Sequence, residues 1–279
     1  MTPSLTRAWT PVEGSLEEIL RRYPRPLKAL VEGETPAVIL RGAYPPAHCA
    51  ALVERFYARG LLYDPRKVED GTPRRVDIGT SLGRHSADPA QFFAHAAETH
   101  ALFRTLFEGY EDPVRTIYDA LSRMAPDKRV MTAQEPDGRV YGPAIFRTYH
   151  AGVGHNPHFD SVSKRSKLFN YAVSRFRQQC AGVLCFQNSD DGGGSRDSYL
   201  YNAPWTPALQ GHLTAGTFHQ YAKERGILPA QVHLEPGDLY FFFTENIHEV
   251  PPVTGDRPRI VLAVFIGLSP EDEEIFVWS

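Results

Sequence analysis

His158-Phe159-Asp160 sets an imidazole and a carboxylate two residues apart. On an extended strand, residues i and i+2 project to the same face, so one nitrogen and one oxygen can share a metal ion. A third ligand would complete a set of two histidines and one carboxylate. That set leaves coordination positions open and suits non-haem iron(II) and its oxygen chemistry. The pair alone carries little weight. With 11 histidines in the chain, about half a His-x-Asp is expected by chance.

His248 is the third candidate. It follows Leu239 to Phe243, a short apolar run introduced by the turn signal Pro236-Gly237. A histidine just past such a strand can sit at a barrel mouth; a surface loop position is the plainer alternative. Downstream, Pro251 to Asp256 reads as a rigid turn. It leads into Arg257-Pro258-Arg259 and the unbroken apolar run Ile260 to Ile266. An arginine at the head of a buried strand is unfavourable unless its charge is met. A dicarboxylate would meet it in bidentate geometry; a solvated or surface-paired arginine is the alternative.

The elements that must position these residues follow from periodicity and punctuation. Leu16 to Leu30 starts as a helix capped by Ser15 and is broken by Pro24 and Pro26. Pro36 to Arg41 reads as a strand, and Pro46 to Leu61 has helical periodicity. Arg66 to Gly83 reads as a loop or irregular hairpin. Asp88 to Met124 holds two helices split near Gly109 to Pro113. The second half is β in character, with strands expected at Ala144–Tyr149, Cys180–Gln187, Gln231–Leu234, Leu239–Thr244 and Arg259–Gly267. One helical insert runs roughly from Thr214 to Arg225, and Gly192 to Gly194 marks a turn. There is no internal repeat. Helices followed by strands argue an α+β fold, with helices on one side of an antiparallel sheet or barrel.

Composition limits the function classes. The chain has 279 residues, 42% apolar and 23% charged, with a net charge of −3, which suits a single globular domain. There is no basic field for nucleic acid and no basic amphipathic stretch for a membrane surface, so a small-molecule partner is expected. Cys49, Cys180 and Cys185 form no CxxC pair, which fits a reduced, cytoplasmic setting. Met1 to Ser15 is polar and has no apolar core of a signal peptide.

Three ordered segments resemble the prolyl-hydroxylase-like 2-oxoglutarate/Fe(II) dioxygenases. Phe146 to Asp160, FRTYHAGVGHNPHFD, is similar to their RYxxGxxxxxHxD region. Cys180 to Gly194, CAGVLCFQNSDDGGG, is similar to the strand and Gly-Gly turn that follows. Gly237 to Gly267 matches their GD, apolar strand, HxVxPV and later arginine. The motif-level likeness covers roughly residues 144–267. It implies one oxygenase domain over residues 1–279. Its core would be a double-stranded β-helix, jelly-roll or cupin-like, over residues 140–270. The mainly helical part, residues 1–135, would pack on the major sheet. It also implies Fe(II), 2-oxoglutarate and O2, with His158, Asp160 and His248 on the iron. Arg259 would bind the distal carboxylate of 2-oxoglutarate and Tyr149 would hydrogen-bond it. Arg257 competes with Arg259 on parity, but Pro258 separates it from the apolar strand.

Two features are particular to this chain. Thr148 separates Arg147 from Tyr149, where the family has Arg and Tyr adjacent. Related halogenases carry Gly or Ala in place of Asp160, which frees a site for halide. A carboxylate there argues for oxygenation. The implied reaction is hydroxylation, or other oxidation, of an aliphatic C–H in a natural-product or amino-acid-derived small molecule, releasing succinate and CO2. A prolyl or peptidyl hydroxylase is the alternative within the class, and a non-catalytic cupin-like ligand-binding module the alternative outside it.

Other candidates have plainer readings. His155, Arg147, Tyr201 and Trp205 stand as possible substrate or supporting residues. His95 and His100, five apart, fall off a shared helical face and read as surface or core residues, while His212 and His219 could share a face but have no third ligand after them. Gly192 to Ser195 is followed by no GK[ST], so it is no phosphate loop. Asp190 and Asp191 read as turn residues. No GxSxG elbow is present.

Overall fold

Ser15 accepts the N–H of Glu18 while Glu18 accepts the N–H of Ser15, a capping box that starts α1 (Leu16–Arg22). Pro26 then opens α2 (Pro26–Val31), so the break within Leu16 to Leu30 falls where the prolines place it. The structure, a computed structural model, describes residues 9–67, 74–164, 170–189 and 197–279. The expected turn at Gly192 to Gly194 and the pair Asp190 and Asp191 lie outside the described residues.

Short β1 (Val12–Gly14) pairs in parallel with β2 (Ala37–Leu40). Helix α3 is Pro46–Ala58. The polar stretch after it, expected as a loop or irregular hairpin, holds β3 (Val76–Ile78) and the start of α4 (Leu82–His85). Three- and four-residue elements are too short to show a period. Asp88 and Asp112 cap α5 (Pro89–Leu106) and α6 (Pro113–Met124), each with proline at its first turn. Then come β4 (Arg129–Thr132), β5 (Ile145–Tyr149), β6 (His155–His158), β7 (Gln178–Gln187) and β8 (Ser198–Pro204). The insert holds two helices, α7 (Pro207–Thr214) and α8 (Phe218–Glu224). The chain ends with β9 (Pro229–Val232), β10 (Leu239–Phe243), β11 (Asn246–Val250), β12 (Arg259–Leu268) and β13 (Glu274–Trp278).

The larger sheet runs β1-β2-β10-β7-β12-β13-β4, with β5 also on β12 and β3 on β5. The smaller runs β6-β11-β8-β9. This is the α+β, double-stranded β-helix arrangement that the sequence implied. Strand alternation assigns the two faces of the larger sheet. Along β12, Ile260, Leu262, Val264 and Ile266 join the main core with Leu52, Phe56, Ile117 and Leu121 from α3 and α6. The alternate residues Arg259, Val261, Ala263 and Phe265 line a cavity facing the smaller sheet. β12 is therefore covered on both sides, which is why it reads as an unbroken apolar run rather than an alternating one. Among the described residues, no helix is long and apolar enough to cross a membrane.

The turn before β10 has a steric requirement. Gly237 has φ +96°, and a Cβ built there would lie 2.2 Å from the Tyr44 carbonyl oxygen. Its N–H also donates to the Cys185 carbonyl at 2.8 Å, tying this turn to the end of β7. Gly237→Ala should therefore lower stability by at least about 2 kcal/mol, from left-handed strain plus backbone displacement. Urea denaturation followed by circular dichroism measures this; an unchanged midpoint would refute the steric argument.

Candidate metal centre

His158 ends β6 and His248 sits in the middle of β11, directly opposite it in the antiparallel register. The sequence placed His248 just past an apolar strand. Thr244 and Glu245 instead form a tight turn, and the chain re-enters a strand that carries the histidine. Asp160 lies two residues beyond the end of β6, so strand parity alone does not aim it. Its backbone N–H donates to the Thr244 carbonyl at 2.9 Å, and the Thr244 hydroxyl donates to the carbonyls of Asp160 and Gln179, each at 2.8 Å. The β10–β11 turn therefore clamps the segment that presents the carboxylate.

The three side chains converge. Asp160 Oδ2 lies 3.6 Å from the Nε2 of His158 and 3.6 Å from the Nε2 of His248. One ligand atom from each residue falls within a 4.8 Å group, a spacing that suits a shared ion. Each histidine is oriented in the same way. His158 Nδ1 lies 2.7 Å from the Asn156 carbonyl and His248 Nδ1 lies 2.9 Å from the Asn246 carbonyl. A carbonyl only accepts, so each Nδ1 carries the proton and each Nε2 keeps its lone pair for a metal. Burial pushes the His158 imidazole well below its usual range, with neighbouring His248 adding to the effect. A neutral ring is the form that ligates.

His155 packs against His158, with ring centroids 3.6 Å apart and the rings tilted by 37°. The crowding of its ring by the neighbouring site pushes its pKa down, with desolvation the largest cause. It lines the cavity but stands outside the three-ligand group. Phe159 turns the other way and stacks on Trp205 at 4.8 Å, bracing the ligand segment from behind. Glu245 accepts from the Ser161 hydroxyl at 3.0 Å and pairs with Lys164, which fixes the same segment again. No single-residue signal in the sequence marks Thr244 or Glu245, because their roles depend on the crossing of two strands.

Arg259 is 2% exposed. One Nη donates to the Ser198 hydroxyl at 3.2 Å, while its buried Nε has no hydrogen-bond partner. Tyr149, its register partner on β5, faces the same cavity, and the guanidinium lies 6.0 Å from the Tyr149 ring centroid. Arg257, two residues earlier, is exposed. Burial thus separates two arginines that parity could not. Arg147 also lines the cavity. Tyr201 does not: it packs on Phe218 at 4.9 Å and donates to Glu249 at 2.5 Å, on the far side of the smaller sheet. Trp205 is likewise absent from the cavity wall.

The residues fit an iron and a dicarboxylate. Two Nε2 lone pairs and one carboxylate oxygen converge, and a buried guanidinium whose Nε has no partner stands in the same cavity. Among known proteins, the family model described as carrier-protein-independent halogenase WelO5 matches residues 12–279. No curated protein matches the chain. An N-substituted L-amino acid dioxygenase from Burkholderia ambifaria AMMD has a similar solved structure, with TM-score 0.57 and 20% identity over 91% of this chain and 90% of that one. The same enzyme in complex with alpha-ketoglutarate gives TM-score 0.55 and 18% identity, over 91% and 90% of the two chains. These two structures share the fold.

Proposed function

The chain belongs to the WelO5 family of iron(II)- and 2-oxoglutarate-dependent halogenases, and we propose that this member directs the shared chemistry to oxygenation of an aliphatic C–H in a small molecule. The observation that carries the reading is Asp160, whose carboxylate stands 3.6 Å from both histidine Nε2 atoms. It takes the coordination position that a halide would need.

His158, Asp160 and His248 would hold the iron, leaving three of six positions for other ligands. When bound, iron(II) with 2-oxoglutarate and O2 supplies an oxidant able to take hydrogen from an unactivated C–H, as 2-oxoglutarate becomes succinate and CO2. Arg259 would bind the distal carboxylate of 2-oxoglutarate through charge-assisted hydrogen bonds, and Tyr149 beside it would orient the same group. Ala181, Val183, Phe242 and Val261 line the cavity; they exclude water and fix the pose of the substrate. The site is enclosed between two sheets, which favours a small molecule, natural-product or amino-acid-derived, over a peptide chain. The three cysteines are free and buried, which supports a reducing, cytoplasmic setting.

Anaerobic addition of iron(II) and 2-oxoglutarate should produce the weak visible charge-transfer band of the chelated co-substrate. Chloride or bromide should leave that band unshifted, and admission of O2 should yield succinate. Absence of the band would overturn the oxygenase reading. A halide-dependent shift with Asp160 in place would overturn the preference for oxygenation.

A further inference from the structure

Arg147 is a second guanidinium in the cavity, and co-substrate binding leaves it unused. It lies on β5 two residues before Tyr149, so its side chain enters from the same inner face. Its Nε is sealed from solvent and has no hydrogen-bond partner. The acid opposite it on β3 is Asp77, and that carboxylate is committed to Arg75 at 2.7 Å and Arg84 at 3.1 Å. The Arg147 guanidinium lies 5.7 Å from the Phe265 ring centroid, whereas Arg259 reaches the Ser198 hydroxyl at 3.2 Å. Arg259 and Phe265 are six residues, or about 20 Å of strand, apart on β12. The two guanidiniums therefore have different neighbours on one inner face, Phe265 for Arg147 and Ser198 for Arg259. Arg147 is half-buried, and a partly desolvated cation is stabilised by an anion held beside it.

We propose that Arg147 binds a carboxylate of the substrate, whose apolar remainder lies against Ile145, Ala263 and Phe265. The substrate class is then an organic acid, held by one arginine while 2-oxoglutarate is held by the other. This rests on the reading of the cavity as an iron and 2-oxoglutarate site.

The test uses the full chain loaded anaerobically with iron(II) and 2-oxoglutarate. It is titrated with acetate, butyrate and phenylacetate, and with the amide of each. Binding is read from perturbation of the visible band and from the melting temperature. The wild type should prefer at least one acid over its amide by tenfold or more. Arg147→Met should abolish that preference and change half-saturation by 2-oxoglutarate less than threefold; Arg147→Lys, which keeps the charge, should retain part of the preference. The proposal is overturned if no acid is preferred by the wild type, or if Arg147→Met keeps the preference. It is also overturned if Arg147→Met weakens 2-oxoglutarate as much as Arg259→Ala does, because Arg147 would then serve the co-substrate. A wild type that gives no band fails the oxygenase reading instead. Melting temperatures of the metal-free chain with the same acids and amides then still decide the role of Arg147.

Discussion

In halide-free buffer, Asp160→Ala should abolish turnover and lower iron(II) affinity by more than about 100-fold. The variant leaves only His158 and His248, below the three protein ligands of the facial set. Losing a hydrogen-bonding partner behind a ligand typically lowers metal affinity by about 10–100-fold, so losing a ligand itself should exceed that. His158→Ala should behave alike. His155→Ala is the control. Its ring packs against His158 but lies outside the candidate ligand group, so the variant should keep the visible band. Titration of the metal-free protein with iron(II) measures the affinity directly. Wild-type-like turnover in Asp160→Ala or His158→Ala would remove that residue from the ligand set.

Arg259→Ala should weaken 2-oxoglutarate binding by roughly 2–4 kcal/mol, or about 30- to 1000-fold. The variant loses charge-assisted hydrogen bonds and leaves the distal carboxylate unpaired in a water-poor cavity. Arg257→Ala is the matched comparison, because Arg257 is exposed and should change half-saturation by less than twofold. Anaerobic titration of the band with 2-oxoglutarate gives both numbers. If Arg257→Ala produced the larger loss, the two arginines would exchange roles. Lysine at position 259 should recover only part of the binding, since a point charge lacks the planar fork of a guanidinium.

Much of the fold was legible because long amphipathic segments announce themselves. α5 and α6 fall within Asp88 to Met124, and β7, β10 and β12 fall close to the apolar runs that marked them. The shortfalls have two causes. β3, α4 and β4 are three or four residues long, too short for any period to emerge. β8 reads as an aromatic cluster and β11 as a loop after a strand, because each mixes polar and apolar residues. Their pairing with each other is what makes them strands.

The candidate metal residues began as a spacing near chance frequency. By itself the sequence determined the residue types: His158 and Asp160 two apart, His248 after an apolar strand, an arginine at the head of the next, and a carboxylate where related halogenases have Gly or Ala. It also determined which family those ordered motifs resemble, since side-chain chemistry and spacing are linear properties. The tertiary structure decided what depends on distance across the chain. It set His158 opposite His248, clamped Asp160 through Thr244, buried Arg259 and left Arg257 in solvent. It also turned Tyr201 and Trp205 away from the cavity and left Arg147 inside it with its Nε unpartnered among the described residues. A strand's parity gives only a face, whereas burial and partners are fixed by which strand lies next to it.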